Sequence, residues 1–405
     1  MSDLERWIAR QWDHSAEMML KSISPVNIVK ARPHFGQVIV PKPGSVVASP
    51  VLAGYDPDPD YFFHWYRDSA VVMDALRLLR RDLPKADTLF QQHVRFSLDL
   101  ELIDGRALPP NWRDAAQPDF ARFLRKTTNE AHGMAIPAET RVNPDGTLDI
   151  SDWPRPQHDG PASRALMLMH WGAEGEAADL LRRDIAFVLH HARLPCFDIW
   201  EEEFGLHAYT MRVSAAALTA GADWLSERGE GALAERCRTE AAALEEILNS
   251  FWMEAQGHIR SRRVEGGAPE KLLDIAVILA ANHAGLTGPR YMATLERLET
   301  LFDAAYAINH NRPAGRAPAL GRYGGDKYYS GGAYYFSTLG AAEFCYRSGD
   351  RARGDAYLET VRAFTPESGD MSEQFDQTTG AQTSARHLTW SYAAFLTAVA
   401  ARQDR

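Results

Sequence analysis

The loops of this chain gather carboxylates, arginines and aromatic rings. Glu201, Glu202 and Glu203 follow Trp200 in "CFDIWEEEFGLHAYT", and Glu373 lies in "MSEQFDQTTGAQTSARHLTW". Arg67 and Asp68 stand side by side in "DPDYFFHWYRDSA", while "SDWPRPQHDGPASRA" and "GRYGGDKYYSGGAYYF" add further aromatic and guanidinium groups. Carboxylates on separate loops can share acid–base work. One carboxylic acid protonates a leaving oxygen and one carboxylate activates water, which is what hydrolysis of a glycosidic bond needs. An Arg–Asp pair offers a planar hydrogen-bonding fork suited to vicinal hydroxyls. Each feature has a structural reading too. An acidic run is favoured where a helix starts, and Asp68 or Ser69 can cap the helix that begins there. Pattern alone leaves open which carboxylates move protons.

Other chemistries find less support. The net charge of −10 argues against nucleic acid as a partner, since no basic tract offsets it. His190 and His191 are adjacent, so on a helix they point about 100° apart and cannot chelate one metal ion together. No Gly-x-Ser-x-Gly elbow, His-Glu-x-x-His pattern or phosphate-cradling glycine loop occurs. No cofactor and no metal are expected. The three cysteines are far apart and suggest neither a disulfide framework nor a zinc site. The N-terminal stretch carries charges throughout and no run of eighteen apolar residues appears, so the expectation is a cytoplasmic protein without a membrane partner.

The elements that must position these loops are helical. Leu233, Cys237, Ala241, Leu244, Leu248 and Phe251 advance by three or four, as do Leu388, Tyr392, Phe395 and Val399, with Ser384 as a candidate N-cap. Read this way, the chain predicts twelve helices, at 3–22, 67–80, 84–103, 161–173, 176–193, 208–226, 231–255, 271–285, 290–308, 333–348, 352–364 and 384–402. Links after even-numbered helices are short, as between antiparallel neighbours. Links after odd-numbered helices are long and rich in Gly, Pro, Asp and aromatics. Six hairpins closed into a ring place every long loop on one face, giving an all-α (α/α)6 toroid with its site on that face. Segment 104–160 is irregular and is expected to fold over the loop face. "VIVPKPGSVVASP" is expected to add a short strand or two.

Five stretches, in order, resemble the glucoamylase-like glycoside hydrolases of family 15: "ASP…PDYFFHWYRDSA", "WPRPQHDGPA", "DIWEE", "GRYGGDKYYSGGAYYF" and "SEQFDQTTGAQTSARHLTWSYAAFL". The resemblance implies an inverting, exo-acting α-glucosidase on an (α/α)6 barrel. It puts Glu201 at the general acid and Glu373 at the general base. Arg67 and Asp68 match the pair that binds the terminal glucose, Tyr61 a tyrosine near the developing cation, and Trp65 a pocket tryptophan. Glu202, Arg322, Trp153 and Arg155 match positions contacting that sugar or the next, with Trp200 and Tyr328 as further aromatic candidates. Departures follow the shared glutamates: Glu203, Phe204 and His207 stand where many relatives carry small polar residues and are expected to reshape the leaving-sugar side. Pro154 replaces a common glycine and Tyr334 a common tryptophan.

The resulting expectation is one catalytic domain, 1–405, without a starch-binding domain or an N-terminal β-sandwich. It releases β-glucose from short α-glucans or disaccharides. An isomaltose- or trehalose-specific glucohydrolase is the nearest alternative. An epimerase or lyase on the same toroid, and a non-catalytic sugar-binding protein, are the alternatives of other classes. Oligomeric state is not legible.

Overall fold

The computed structural model describes residues 2–54 and 58–404. Among them are twelve α-helices, in the predicted order. They are α1 (Asp3–Leu20), α2 (Tyr66–Leu78), α3 (Ala86–Leu100), α4 (Asp159–His170), α5 (Glu176–His191) and α6 (Ala208–Glu227). The second half holds α7 (Gly231–Asn249), α8 (Ala276–His283), α9 (Pro289–Ala305), α10 (Tyr335–Arg347), α11 (Arg351–Phe364) and α12 (Thr389–Arg402).

Burial sorts them into two layers. Every residue of α10 from Tyr335 to Tyr346 is buried, whereas α7 buries one stripe, Ala234, Cys237, Ala241, Leu244 and Leu248. A helix apolar on all sides belongs inside, and one with a single apolar stripe lies against it from outside. The even-numbered helices accordingly form an inner ring: α2 packs on α4, then α6, α8, α10 and α12, and α12 closes back onto α2. The odd-numbered helices form the outer layer, among them α7 on α6, α11 on α10 and α1 on α12. This is the (α/α)6 toroid.

Three boundaries differ from the sequence reading by five residues or more. α7 ends at Asn249 rather than at 255, because Trp252–Met253 pairs with His258–Ile259 in a hairpin. α8 starts at Ala276 rather than at 271, with Asp274 Oδ1 accepting from the Ala276 N–H at 2.7 Å. α12 starts at Thr389, and Ser384 is not its cap: Ser384 and His387 both have positive φ, which breaks the helical path.

Short strands stitch the long loops together. In chain order they are β1 (Lys30–Arg32), β2 (Gln37–Ile39), β3 (His64–Trp65), β4 (Arg141–Val142), β5 (Cys196–Phe197) and β6 (Phe204–His207). There follow β7 (Trp252–Met253), β8 (His258–Ile259), β9 (Arg262–Arg263), β10 (Ala333–Tyr334), β11 (Gln374–Phe375) and β12 (Gln382–Thr383). The expected strand near residue 40 is β2, paired antiparallel with β1. Segment 104–160 holds four 3₁₀ turns and contributes β4, which pairs with β3 so that Trp65 faces Arg141. Gly160 lets α4 meet α2 closely, since a Cβ there would lie 2.5 Å from Tyr66 Cβ. That approach carries Asp159 to Arg67.

Candidate active site

Eight of the residues singled out from the sequence line one cavity. Glu201 and Glu373 are both in its wall, with Arg67, Asp68, Tyr61, Trp65, Trp200 and Arg322. Its floor is Phe336 and Trp390, stacked with ring centroids 4.8 Å apart. Both rings also line a second, larger cavity of about 650 Å³ among the inner helices. The aromatic pair therefore closes the bottom of the first.

The three glutamates do not sit at a helix start. They occupy the turn between β5 and β6, and β6 intervenes before α6 begins at Ala208. Asp198 ties that turn: its Oδ1 accepts from the Glu202 and Glu203 N–H groups at 2.7 and 3.2 Å. Glu201 itself adopts φ +65°, a left-handed conformation uncommon for a residue with a side chain. The turn aims its carboxylate into the cavity. There Oε1 accepts from Trp65 Nε1 at 2.8 Å and Arg67 Nη2 at 3.1 Å, and Oε2 accepts from Trp153 Nε1 at 2.5 Å. Glu201 thus meets three N–H donors, with Asp68 and Asp159 sharing Arg67 beside it.

Arg67 is the hub beside it. Its guanidinium lies 3.3 Å from Asp68, 3.4 Å from Asp159 and 3.1 Å from Glu201. The α2 N-cap is Trp65, which makes no side-chain capping bond, and Ser69 donates to the Tyr66 carbonyl, so neither Asp68 nor Ser69 caps α2. Burial pushes Asp68 and Asp159 up to about 6, against the pull of Arg67.

Glu373 comes from the loop before β11, held by backbone bonds to Ala385 and Tyr335. Ser384, in its positive-φ turn, donates to Glu373 Oε2. Tyr61 donates more weakly, at 3.4 Å to Oε1, and meets the Tyr328 hydroxyl at 2.7 Å. Burial raises the Glu373 carboxyl to about 7, with Ser384 pulling the other way. A group that must be ionised to accept a proton then imposes an acid limb near that pH on kcat/KM. Ser384→Ala removes a bond that favours the ionised form. The limb is therefore expected to move to higher pH by about one unit, from the ~1.4 kcal/mol that one unit represents. An initial-rate pH profile checks it, and an unmoved limb would detach Glu373 from the rate.

The remaining residues fall outside the cavity wall. Glu202 bridges Arg322 Nη2 at 2.9 Å, the Tyr323 hydroxyl at 2.5 Å and Lys271, and with Tyr328 it lines a shallow groove beside the cavity. Glu203 pairs with Arg262 at 2.9 Å. Trp153 reaches the site only through its indole N–H. Arg155 does not line the cavity, and its guanidinium pairs with Glu139 at 2.9 Å and Asp149 at 3.6 Å. His207 is also turned away, buried with Nε2 against the Cys196 carbonyl, and Phe204 packs on Phe197. Neither lines the cavity. Tyr334 is wholly buried and donates to Asp326, which forks onto Arg322. Among the described residues no three His, Cys, Asp or Glu side chains converge as a metal set.

Residues 31–354 and 350–400 match the sequence profile of glycosyl hydrolases family 15. The chain belongs to that family. It is a glycoside hydrolase. Glucoamylase 1 of Rhizopus oryzae is 26% identical, over 98% of this chain and 71% of the relative. The intracellular sporulation-specific glucoamylase of Saccharomyces cerevisiae is 24% identical over 100% of this chain and 85% of its own length. The glucoamylase structure from Hormoconis resinae superimposes with a TM-score of 0.79 at 25% identity, covering 99% of this chain and 74% of that one.

Within this family 15 hydrolase, sequence reasoning missed the cavity floor and the supports. Trp390 and Phe336 were legible only as the last residues of two loop motifs. Asp159 sits inside a motif already quoted, yet nothing in the string marks it as the partner of Arg67. Asp274, which accepts from Trp200 Nε1 at 2.8 Å, gave no signal at all.

Proposed function

We propose that this hydrolase is an inverting, exo-acting α-glucosidase of the glucoamylase type, taking one glucose from the non-reducing end of short α-linked substrates. The observation that carries the reading is a cavity closed by Phe336 and Trp390, with Glu201 and Glu373 both in its wall. A blind pocket admits a chain end and not a chain middle. Two carboxylates around one bound ring can act on opposite faces of it.

The steps balance as follows. Glu201, protonated, gives its proton to the glycosidic oxygen as the C1–O bond breaks and the leaving sugar departs as an alcohol. A water attacks C1 from the other face while Glu373 takes its proton, leaving β-glucose. Arg67 and Asp68 hold the hydroxyls of the terminal ring, and Tyr61 faces the cationic ring that develops between the carboxylates. Glu202, braced by Arg322, Lys271 and Tyr323, meets the leaving sugar. Three buried, unpaired cysteines and the intracellular yeast relative support a place in the cytoplasm. No helix among the described residues is long and apolar enough to cross a membrane.

The test is a panel of maltose, isomaltose, trehalose and soluble starch, with proton NMR of early turnover read on starch, where the leaving chain adds no free glucose. The expected result is β-glucose as the first product and faster release per site from a disaccharide than from starch. α-Glucose as the first product would overturn the inverting mechanism, and faster release from starch the size preference.

A further inference from the structure

Trp65 and Trp153 each aim an indole N–H at Glu201, one at each carboxylate oxygen. Arg141 lies against both rings. The pairing of β3 with β4 fixes it opposite Trp65. Its guanidinium carbon is 3.6 Å from the Trp153 ring centroid, 4.8 Å from that of Trp65 and 3.9 Å from that of Phe63. Asp149 accepts from its Nε at 2.9 Å, and Ser151 Oγ from its Nη2 at 3.1 Å. Arg141 is buried and is not part of the cavity wall, so it does not touch a sugar there.

The arrangement has a chemical consequence. A cation over the face of an aromatic ring is attracted by the ring's electron density. In an indole that attraction draws charge from the ring and leaves the N–H a better donor. It also fixes the plane of the ring, and with it the direction of the N–H. We infer that Arg141 is a positioning residue for the proton donor, locking Trp65 and Trp153 in the orientation that aims Glu201 at the glycosidic oxygen. Glu201 Oε1 already takes two donors, from Trp65 and Arg67, and Oε2 only one, from Trp153. The irregular segment before α4 acquires a role: it delivers β4, and β4 delivers the clamp.

This inference rests on the reading of Glu201 as the acid, and the experiment separates the two. Arg141→Met, Arg141→Lys and Glu201→Gln are compared on maltose, whose leaving group needs a proton, and on α-glucosyl fluoride, whose leaving group does not. Arg141→Met is expected to lose roughly tenfold in kcat on maltose, part of the ~10²–10⁴ that general acid catalysis supplies. KM on maltose and the rate on the fluoride should stay within about twofold in that variant, since neither depends on the acid's aim. Arg141→Lys, which keeps the cation, should recover most of the loss. If both substrates slow together in Arg141→Met while Glu201→Gln still spares the fluoride, Arg141 only supports the fold and the inference fails alone. A lysine variant as poor as the methionine one would equally overturn it. If Glu201→Gln does not spare the fluoride, the acid assignment falls first and takes the inference with it. Should Arg141→Met fail to fold, the double variant Arg141→Met/Asp149→Asn removes both charges of the buried pair and is read in the same way.

Discussion

Glu201→Gln is expected to lose about 10²–10⁴-fold of its activity on maltose while keeping much of it on α-glucosyl fluoride. A general acid matters only where the leaving group is poor, and fluoride departs without one. Glu373→Gln should lose both activities, because water must still be deprotonated whichever group leaves. Glu202→Gln is expected chiefly to raise KM on disaccharides. Its carboxylate is already bound by Arg322, Tyr323 and Lys271, and it faces the groove rather than the closed cavity. Glu203→Gln should cost little, as its partner Arg262 lies away from the cavity. Parallel initial rates on the two substrates decide the matter. A fluoride-sparing pattern in Glu202→Gln rather than Glu201→Gln would move the acid by one residue.

Arg67→Ala should produce the next largest effect, a loss of about 2–4 kcal/mol in transition-state stabilisation, or roughly 30- to 1000-fold in kcat/KM. Two effects combine in it. The fork that holds the sugar hydroxyls disappears, and Asp68, Asp159 and Glu201 are left in one buried site without their shared cation. Like charges so placed favour protonation, so Asp68 would no longer accept from the sugar as a carboxylate. Arg67→Lys should fall between, because a single ammonium cannot reproduce the fork. A kcat/KM within threefold of wild type in a folded Arg67→Ala protein would reduce Arg67 to a structural cation. Circular dichroism and thermal melts establish that the fold is intact.

The architecture was legible because its signal is local. Each helix announces itself by apolar spacing, and the alternation of short and long links says which end each hairpin closes. The ring then follows from counting. Boundaries were less legible wherever a polar side chain has a non-helical alternative. Asp274 accepts from the Ala276 N–H where α8 begins, five residues later than periodicity suggested, and Ser384 turns to Glu373 instead of capping α12. The site was partly legible, since its carboxylates and the Arg67–Asp68 pair lie in motifs that resemble a known family. What could not be read were contacts between loops far apart in the chain. Arg155 carries the right side chain in the right motif, yet it pairs with Glu139 and Asp149 and does not line the cavity. Arg141 carries no motif, yet it lies against three rings of the site.

The left-handed backbone at Glu201 bears on how such a protein drifts over generations. A residue with a side chain in that conformation costs of the order of 1–3 kcal/mol, and glycine or asparagine would sit there with less strain. Mutation pressure combined with selection for folding alone would therefore remove the glutamate at this position among the first. A descendant that had lost its chemistry and kept its toroid should carry glycine or asparagine after Trp200, with Asp198 still tying the turn.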